Sequence, residues 1–197
     1  MAVIVVGGAG HGVGKTALVC GLIRALPEIE WTAVKITSHD YGRGAGIWEE
    51  SSATEGTDTS RYLAAGARRA LLVTAADEEV EGLVREALSQ CAAWGGARLN
   101  GVGGKGSGKQ QGTILESNRV LRFVEPELCL GVEGAPGAER KASYERVEAR
   151  ADAVVRRAER IGVVEGERPV FELANLERLS EEMRAWLKQL DGLWQGE

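Results

Sequence analysis

Cysteine is scarce. Cys20, Cys91 and Cys129 are the three in 197 residues, odd in number, far apart, and each set in an apolar helix or strand pattern. That spacing argues against a disulfide framework and a thiolate metal centre, and three buried free thiols are expected. Long apolar runs are also missing. No stretch reaches the roughly 18 apolar residues of a membrane helix, and residues 1–6 lack the basic start and small-residue cleavage site of a secretory leader. The expectation is a cytoplasmic protein with no membrane partner. Nor is there an excess of positive charge: 24 Lys and Arg stand against 29 Asp and Glu, a formal net charge of −5. A surface built to neutralise nucleic-acid phosphates is not expected, so any anion site has to be local.

Glycine, by contrast, is plentiful, with 27 residues, about twice the usual share of roughly 7%. A domain of roughly 150 residues is typical, so residues 1–197 are expected to form one domain.

Residues 2–6 (AVIVV) are a continuous apolar, β-branched run, the pattern of a strand covered on both faces. Gly7 to Gly14 break it, and Leu18, Val19, Leu22, Ile23 and Leu26 then recur at helical spacing until Pro27. A second strand is expected at 31–36, and residues 41–56 show no clean periodicity. A helix at 57–65 leads to a strand at 70–73. Residues 74–77 (TAAD) resemble a capping box before a helix bearing Val80, Leu83, Val84, Ala87, Leu88 and Cys91. The segment 101–112 (GVGGKGSGKQQG) reads as a flexible loop. Beyond it follow a strand at 113–115, a helix near 118–124, strands at 128–132 and 153–155 with a helix from about 143 between them, a strand at 170–173, and a helix capped by Asn175. Alternating strands and helices predict an α/β fold, a mostly parallel sheet flanked by helices, with ligands bound beyond the C-terminal strand ends.

Ala9-Gly10-His11-Gly12-Val13-Gly14-Lys15-Thr16 is the A/G-x-x-x-x-G-K-S/T form of a phosphate-binding loop, lying between an apolar strand and an amphipathic helix. Its glycines allow successive N–H groups to curl around a phosphate, and the helix start, including Ala17, adds unpaired donors. Lys15 is expected on the β- and γ-phosphates and the Thr16 hydroxyl on Mg²⁺, with ATP or GTP as the nucleotide. His11 is read either as an exposed side chain or as one touching a phosphate. A second string, 104–109 (GKGSGK), lacks the flanking strand and helix; it reads as loop or as a closing lid.

Phosphoryl chemistry also needs acids to hold metal and orient the attacking oxygen. Glu116 closes the apolar run 113–115 and Asp40 follows the second strand by four residues, so both are candidates for metal and catalysis, together with Lys15. Lys35 interrupts the second strand near its end; it either snorkels outward or faces the phosphates. Asp58 reads first as an acid at a helix N-terminus.

Three strings, GGAGHGVGKT at 7–16, VKITSHD at 34–40 and GTDTSRYLAAGARRALLV at 56–73, resemble the molybdopterin-guanine dinucleotide biosynthesis protein B family, with a looser likeness at 113–118. The resemblance implies a P-loop NTPase fold and a usually dimeric GTP-binding, weakly hydrolysing protein that helps attach a guanine nucleotide to the molybdenum cofactor, with a molybdenum-cofactor protein as partner. It would put phosphates on Gly12, Gly14, Lys15 and Thr16, with Lys35, Asp40 and Glu116 near Mg²⁺ or the γ-phosphate. Residues 12–16 (GVGKT) are also similar to dethiobiotin synthetase, which implies a small-molecule kinase or ligase with Lys35 on the acceptor, its pocket formed by His39, Asp40 and 101–112. No Asn-Lys-x-Asp string selects guanine, so the base stays open, and a binding module without turnover is the third reading.

Overall fold

A computed structural model describes residues 2–39, 42–54, 56–96, 110–135, 137–157, 162–164 and 168–190. Strand β1 (Ala2–Gly8) is followed by α1 (Lys15–Ala25), β2 (Ile29–Thr37), β3 (Gly46–Glu49), α2 (Asp58–Ala65), β4 (Arg69–Thr74) and α3 (Val80–Gly96). Then come β5 (Gln110–Glu116), β6 (Leu128–Glu133), α4 (Tyr144–Arg150), β7 (Ala153–Arg157), β8 (Gly162–Val164), β9 (Val170–Leu173) and α5 (Glu181–Gln189). The nine strands form one sheet in the order β3-β4-β2-β5-β1-β6-β7-β9-β8. The seven inner strands pair in parallel, and only the edges β3 and β8 run antiparallel to their neighbours. The α/β, mostly parallel sheet expected from the sequence is therefore observed.

Side chains alternate across the sheet, so the apolar run of β1 supplies both layers of the core. Ile4 and Val6 join Leu18, Leu22, Tyr62 and Met183 on one face, whereas Val5 joins Val34, Leu71, Val84 and Val147 on the other. All three cysteines are buried free thiols. Burial pushes Cys20 up to about 11 and Cys129 up to about 12, which keeps both unreactive. No helix among the described residues is long and apolar enough to cross a membrane.

Several boundaries differ from the sequence expectation. Residues 110–112, taken with the flexible segment, belong to β5; 101–109 lie outside the described residues. Gly112 is there for packing: a Cβ on it would stand 2.4 Å from Cζ3 of the fully buried Trp31. The aperiodic stretch 41–56 contains β3, an edge strand whose pattern is too short to show alternation. Thr74 does not cap α3 but ends β4, and residues 118–124 form a single 3₁₀ turn (Arg119–Arg122) rather than a longer helix. The last helix starts at Ser180, whose Oγ accepts from the Met183 N–H at 3.1 Å. Asn175 instead closes a local turn by accepting from the Glu177 N–H, and Leu176 and Leu179 are buried ahead of the helix.

Candidate functional site

The C-terminal ends of β1, β2 and β5 meet near the start of α1. The loop after β1 turns through Gly12 (φ 67°) and Gly14 (φ 106°), left-handed values that side chains resist. Gly14 is doubly constrained, since a Cβ there would stand 2.3 Å from Leu176 Cδ1. Gly14 is the residue before α1, and no side chain caps the helix, so its first N–H groups remain available to an anion. Lys15 folds back over Gly8 and donates from Nζ to the Gly10 carbonyl at 2.7 Å. Burial lowers the Lys15 pKa, helped by the charges of Lys35 and Lys141 and opposed by Glu116 and Asp58. Within the same loop, Ala9 is buried, Val13 and Ala17 are partly buried against the core, and His11 is exposed.

Beside the loop lies a buried polar cluster. Glu116, 2% exposed, accepts from the Thr16 hydroxyl at 2.9 Å, from the Lys35 ammonium and from the Tyr62 hydroxyl. Register explains the meeting with Lys35: Glu116 is the partner of Lys35 in the β2–β5 ladder and of Val6 in the β1–β5 ladder. Lys35 therefore points into this cluster beside residues 9–16 rather than snorkelling outward. Its ammonium also reaches Asp58 Oδ2 at 2.8 Å. Burial works to lower the Lys35 pKa, but Glu116 and Asp58 outweigh it and hold the group above the usual lysine value. Asp58 is held below the usual carboxylate range: burial pushes it up, and the hydrogen bond and charge of Lys35, with the charge of Arg61, overcome that. Asp58 does open α2 as an N-terminal acid, as read from the sequence, but it also joins this cluster. Tyr62 is fully buried, and that burial, with Glu116 beside it, raises its pKa well above the ordinary value.

Asp40, the second expected carboxylate, lies outside the described residues. Tyr62 and Asn118 are the members that sequence reasoning missed. Tyr62 follows Asp58 by four residues on α2, the spacing that puts two side chains on one helix face. Asn118 follows Glu116 by two and brackets the Gly8 peptide, its Oδ1 accepting from the N–H at 2.7 Å and its Nδ2 donating to the carbonyl at 2.9 Å.

Two features bear on what the site can hold. Among the described residues no three His, Cys, Asp or Glu side chains converge into a metal cage. A hydroxyl with one or two carboxylates at the mouth of an amide hollow is instead the donor set used by Mg²⁺, which keeps waters and takes phosphate oxygens. Thr16, Glu116 and Asp58 fit that description. Next to Lys35 opens a cavity of about 510 Å³, lined also by Arg43, Trp48, Glu49, Glu50, Thr57, Asp58, Thr59 and Leu72. Of the residues expected to form an acceptor pocket, His39 does not line this cavity, and Asp40 and 101–109 lie outside the described residues. Compared with known proteins, the chain matches no protein-family model and no curated sequence.

Proposed function

We propose that the chain binds Mg²⁺ and a nucleoside triphosphate at residues 9–16 and acts on the terminal phosphoryl group. The observation that carries this reading is the convergence of an uncapped helix start, left-handed Gly12 and Gly14, Lys15 and the Thr16–Glu116 pair at one point. Thr16, Glu116 and Asp58 would hold the metal, which when bound neutralises charge on the phosphate oxygens. Lys15 and the loop amides bind the phosphates and stabilise charge on them. Tyr62 and Lys35 each donate to the Glu116 carboxylate and hold it in place, so it needs little reorganisation.

A thermal-shift series of ATP, GTP and their diphosphates with Mg²⁺ tests this. A ligand at 100 times its Kd adds about 2.7 kcal/mol to the folded state, and the shift should vanish in Lys15→Ala. No shift with any of the four would remove the reading.

The cavity at Lys35 favours a second reading, phosphoryl transfer to a small acceptor, over simple hydrolysis. Acceptor-dependent turnover separates the two, and negligible phosphate release in both the wild type and Glu116→Ala would leave a binding module. A role in molybdenum-cofactor biosynthesis rests on the residue strings 7–16, 34–40 and 56–73 alone. It requires GTP to be preferred to ATP.

A further inference from the structure

The segment that follows β6 crosses the start of the phosphate loop. Ala9 is held from both sides there, donating its N–H to the Val132 carbonyl at 2.8 Å and accepting the Lys141 N–H at 2.8 Å. This second bond brings the Lys141 side chain to the loop, where Nζ lies 2.7 Å from Nε2 of His11. Two protonated groups cannot share a hydrogen bond, so an ammonium here requires a neutral imidazole with its proton on Nδ1.

Two other cations near the loop are already matched by acids. Lys35 lies between Glu116 and Asp58, and Arg140 reaches Glu133 at 3.0 Å and Glu148 at 2.9 Å. Lys141 has no ion pair with a carboxylate among the described residues, and its charge is felt by Lys15. A cation tethered to the loop by its own backbone, with only an imidazole to accept from it, has its complement in a ligand. A phosphate oxygen is a stronger acceptor for an ammonium than a neutral ring nitrogen. Lys15 of this motif takes the β- and γ-phosphates, and His11, which Lys141 touches at 2.7 Å, lies in the same loop, so Lys141 stands beside the polyphosphate end of the site.

We propose that Lys141 is a second phosphate-binding lysine that leaves His11 for the terminal phosphate and makes the site favour a nucleoside triphosphate over its diphosphate. The proposal rests on the phosphate-loop reading above.

Calorimetric titrations of the full chain with Mg²⁺ and the β,γ-imido analogues of ATP and GTP, and with ADP and GDP, test it. In Lys141→Met, dissociation constants for the imido analogues should rise roughly tenfold, the loss of one charge-assisted hydrogen bond, and those for the diphosphates should stay within about twofold. The substitution keeps the backbone N–H that holds Ala9, and Lys141 is exposed, so the melting temperature without nucleotide should not move. A second readout uses the chain's having only two histidines, His11 and His39. The imidazole ¹⁵N signals of His11, assigned with His11→Asn, should shift on adding an imido analogue and not on adding a diphosphate. Equal weakening of both ligand classes, no weakening of either, or unmoved His11 signals would overturn the proposal. If Lys15→Ala weakens both classes while Lys141→Met weakens neither, this inference alone falls. If Lys15→Ala leaves both unchanged, the phosphate-loop reading falls with it.

Discussion

Lys35 and Glu116 are opposite one another in adjoining parallel strands, and the ammonium of Lys35 lies against both the Glu116 and the Asp58 carboxylates. A lysine thus occupies ground that a divalent cation would also seek. On the proposed reading, Mg²⁺ has to share these two acids with Lys35. Lys35→Met should therefore lower the Mg²⁺ concentration that gives half-maximal nucleotide binding, measured by titrating metal at fixed nucleotide. A higher requirement would mean that Lys35 helps to hold the nucleotide rather than competing with its metal.

Removing the carboxylate should be costly to the fold. Glu116→Ala leaves the Thr16 and Tyr62 hydroxyls without their acceptor and the Lys35 charge with Asp58 alone. Breaking such a buried pair costs about 3–5 kcal/mol, whereas Glu116→Gln keeps an acceptor oxygen and should lose less. Urea unfolding measures both. Equal stability of Glu116→Ala and the wild type would show that the cluster contributes nothing to the fold.

The same cluster sets an alkaline limit. Lys35 has its pKa raised above the ordinary 10.5, so the stability from its ion pairs is complete below that value and is lost as pH rises through the folded pKa. Tyr62 has its pKa raised well above the ordinary 10.0. Above pH 10 the unfolded chain ionises this phenol while the folded chain does not, and stability falls again. Both signs agree. Melting temperatures between pH 9 and 11 should decline, with a shallower slope in Tyr62→Phe, and an identical slope would remove Tyr62 from the account.

How far this cluster could be read from the sequence depends on the range of the cause. The glycine turn ahead of α1 was legible because its cause is local: Gly12, Gly14, Lys15 and Thr16 are consecutive or nearly so in the chain. Lys35 and Glu116 could be named singly, since a charge at the end of an apolar strand stands out. Their pairing could not, because it follows from the order β2-β5-β1 and a register between segments 81 residues apart. Residues 110–112 misread for a similar reason: Gly112 resembles a loop glycine until Trp31 is seen packed against it.

Gly14 should tolerate no side chain. Its φ of 106° resists any L residue, and Leu176 Cδ1 occupies the place of a Cβ at 2.3 Å. Gly14→Ala should abolish nucleotide stabilisation in the thermal-shift assay. Leu176→Ala, which frees that space, should restore little of it, because the dihedral strain remains. Full recovery in the double variant would assign the defect to the clash alone.

Asn118 stands in for a missing piece of strand. β5 ends at Glu116, opposite Val6, so the Gly8 peptide on the same edge of β1 has no β5 residue to pair with. The Asn118 carboxamide supplies the acceptor and the donor that this peptide needs, and its Nδ2 also reaches Ser143 Oγ at 3.1 Å. Gly8 leads directly into the phosphate loop, so the bracket sets where the loop departs. Asn118→Ala leaves a backbone N–H without its acceptor, which costs about 1–3 kcal/mol. Asn118→Asp retains that acceptor but loses both donor contacts, to Gly8 and to Ser143, and its stability should fall between the two. Urea unfolding orders the three proteins. Nucleotide affinity should follow the same order if Gly8 positions the loop; affinity unchanged across the series would confine Asn118 to folding.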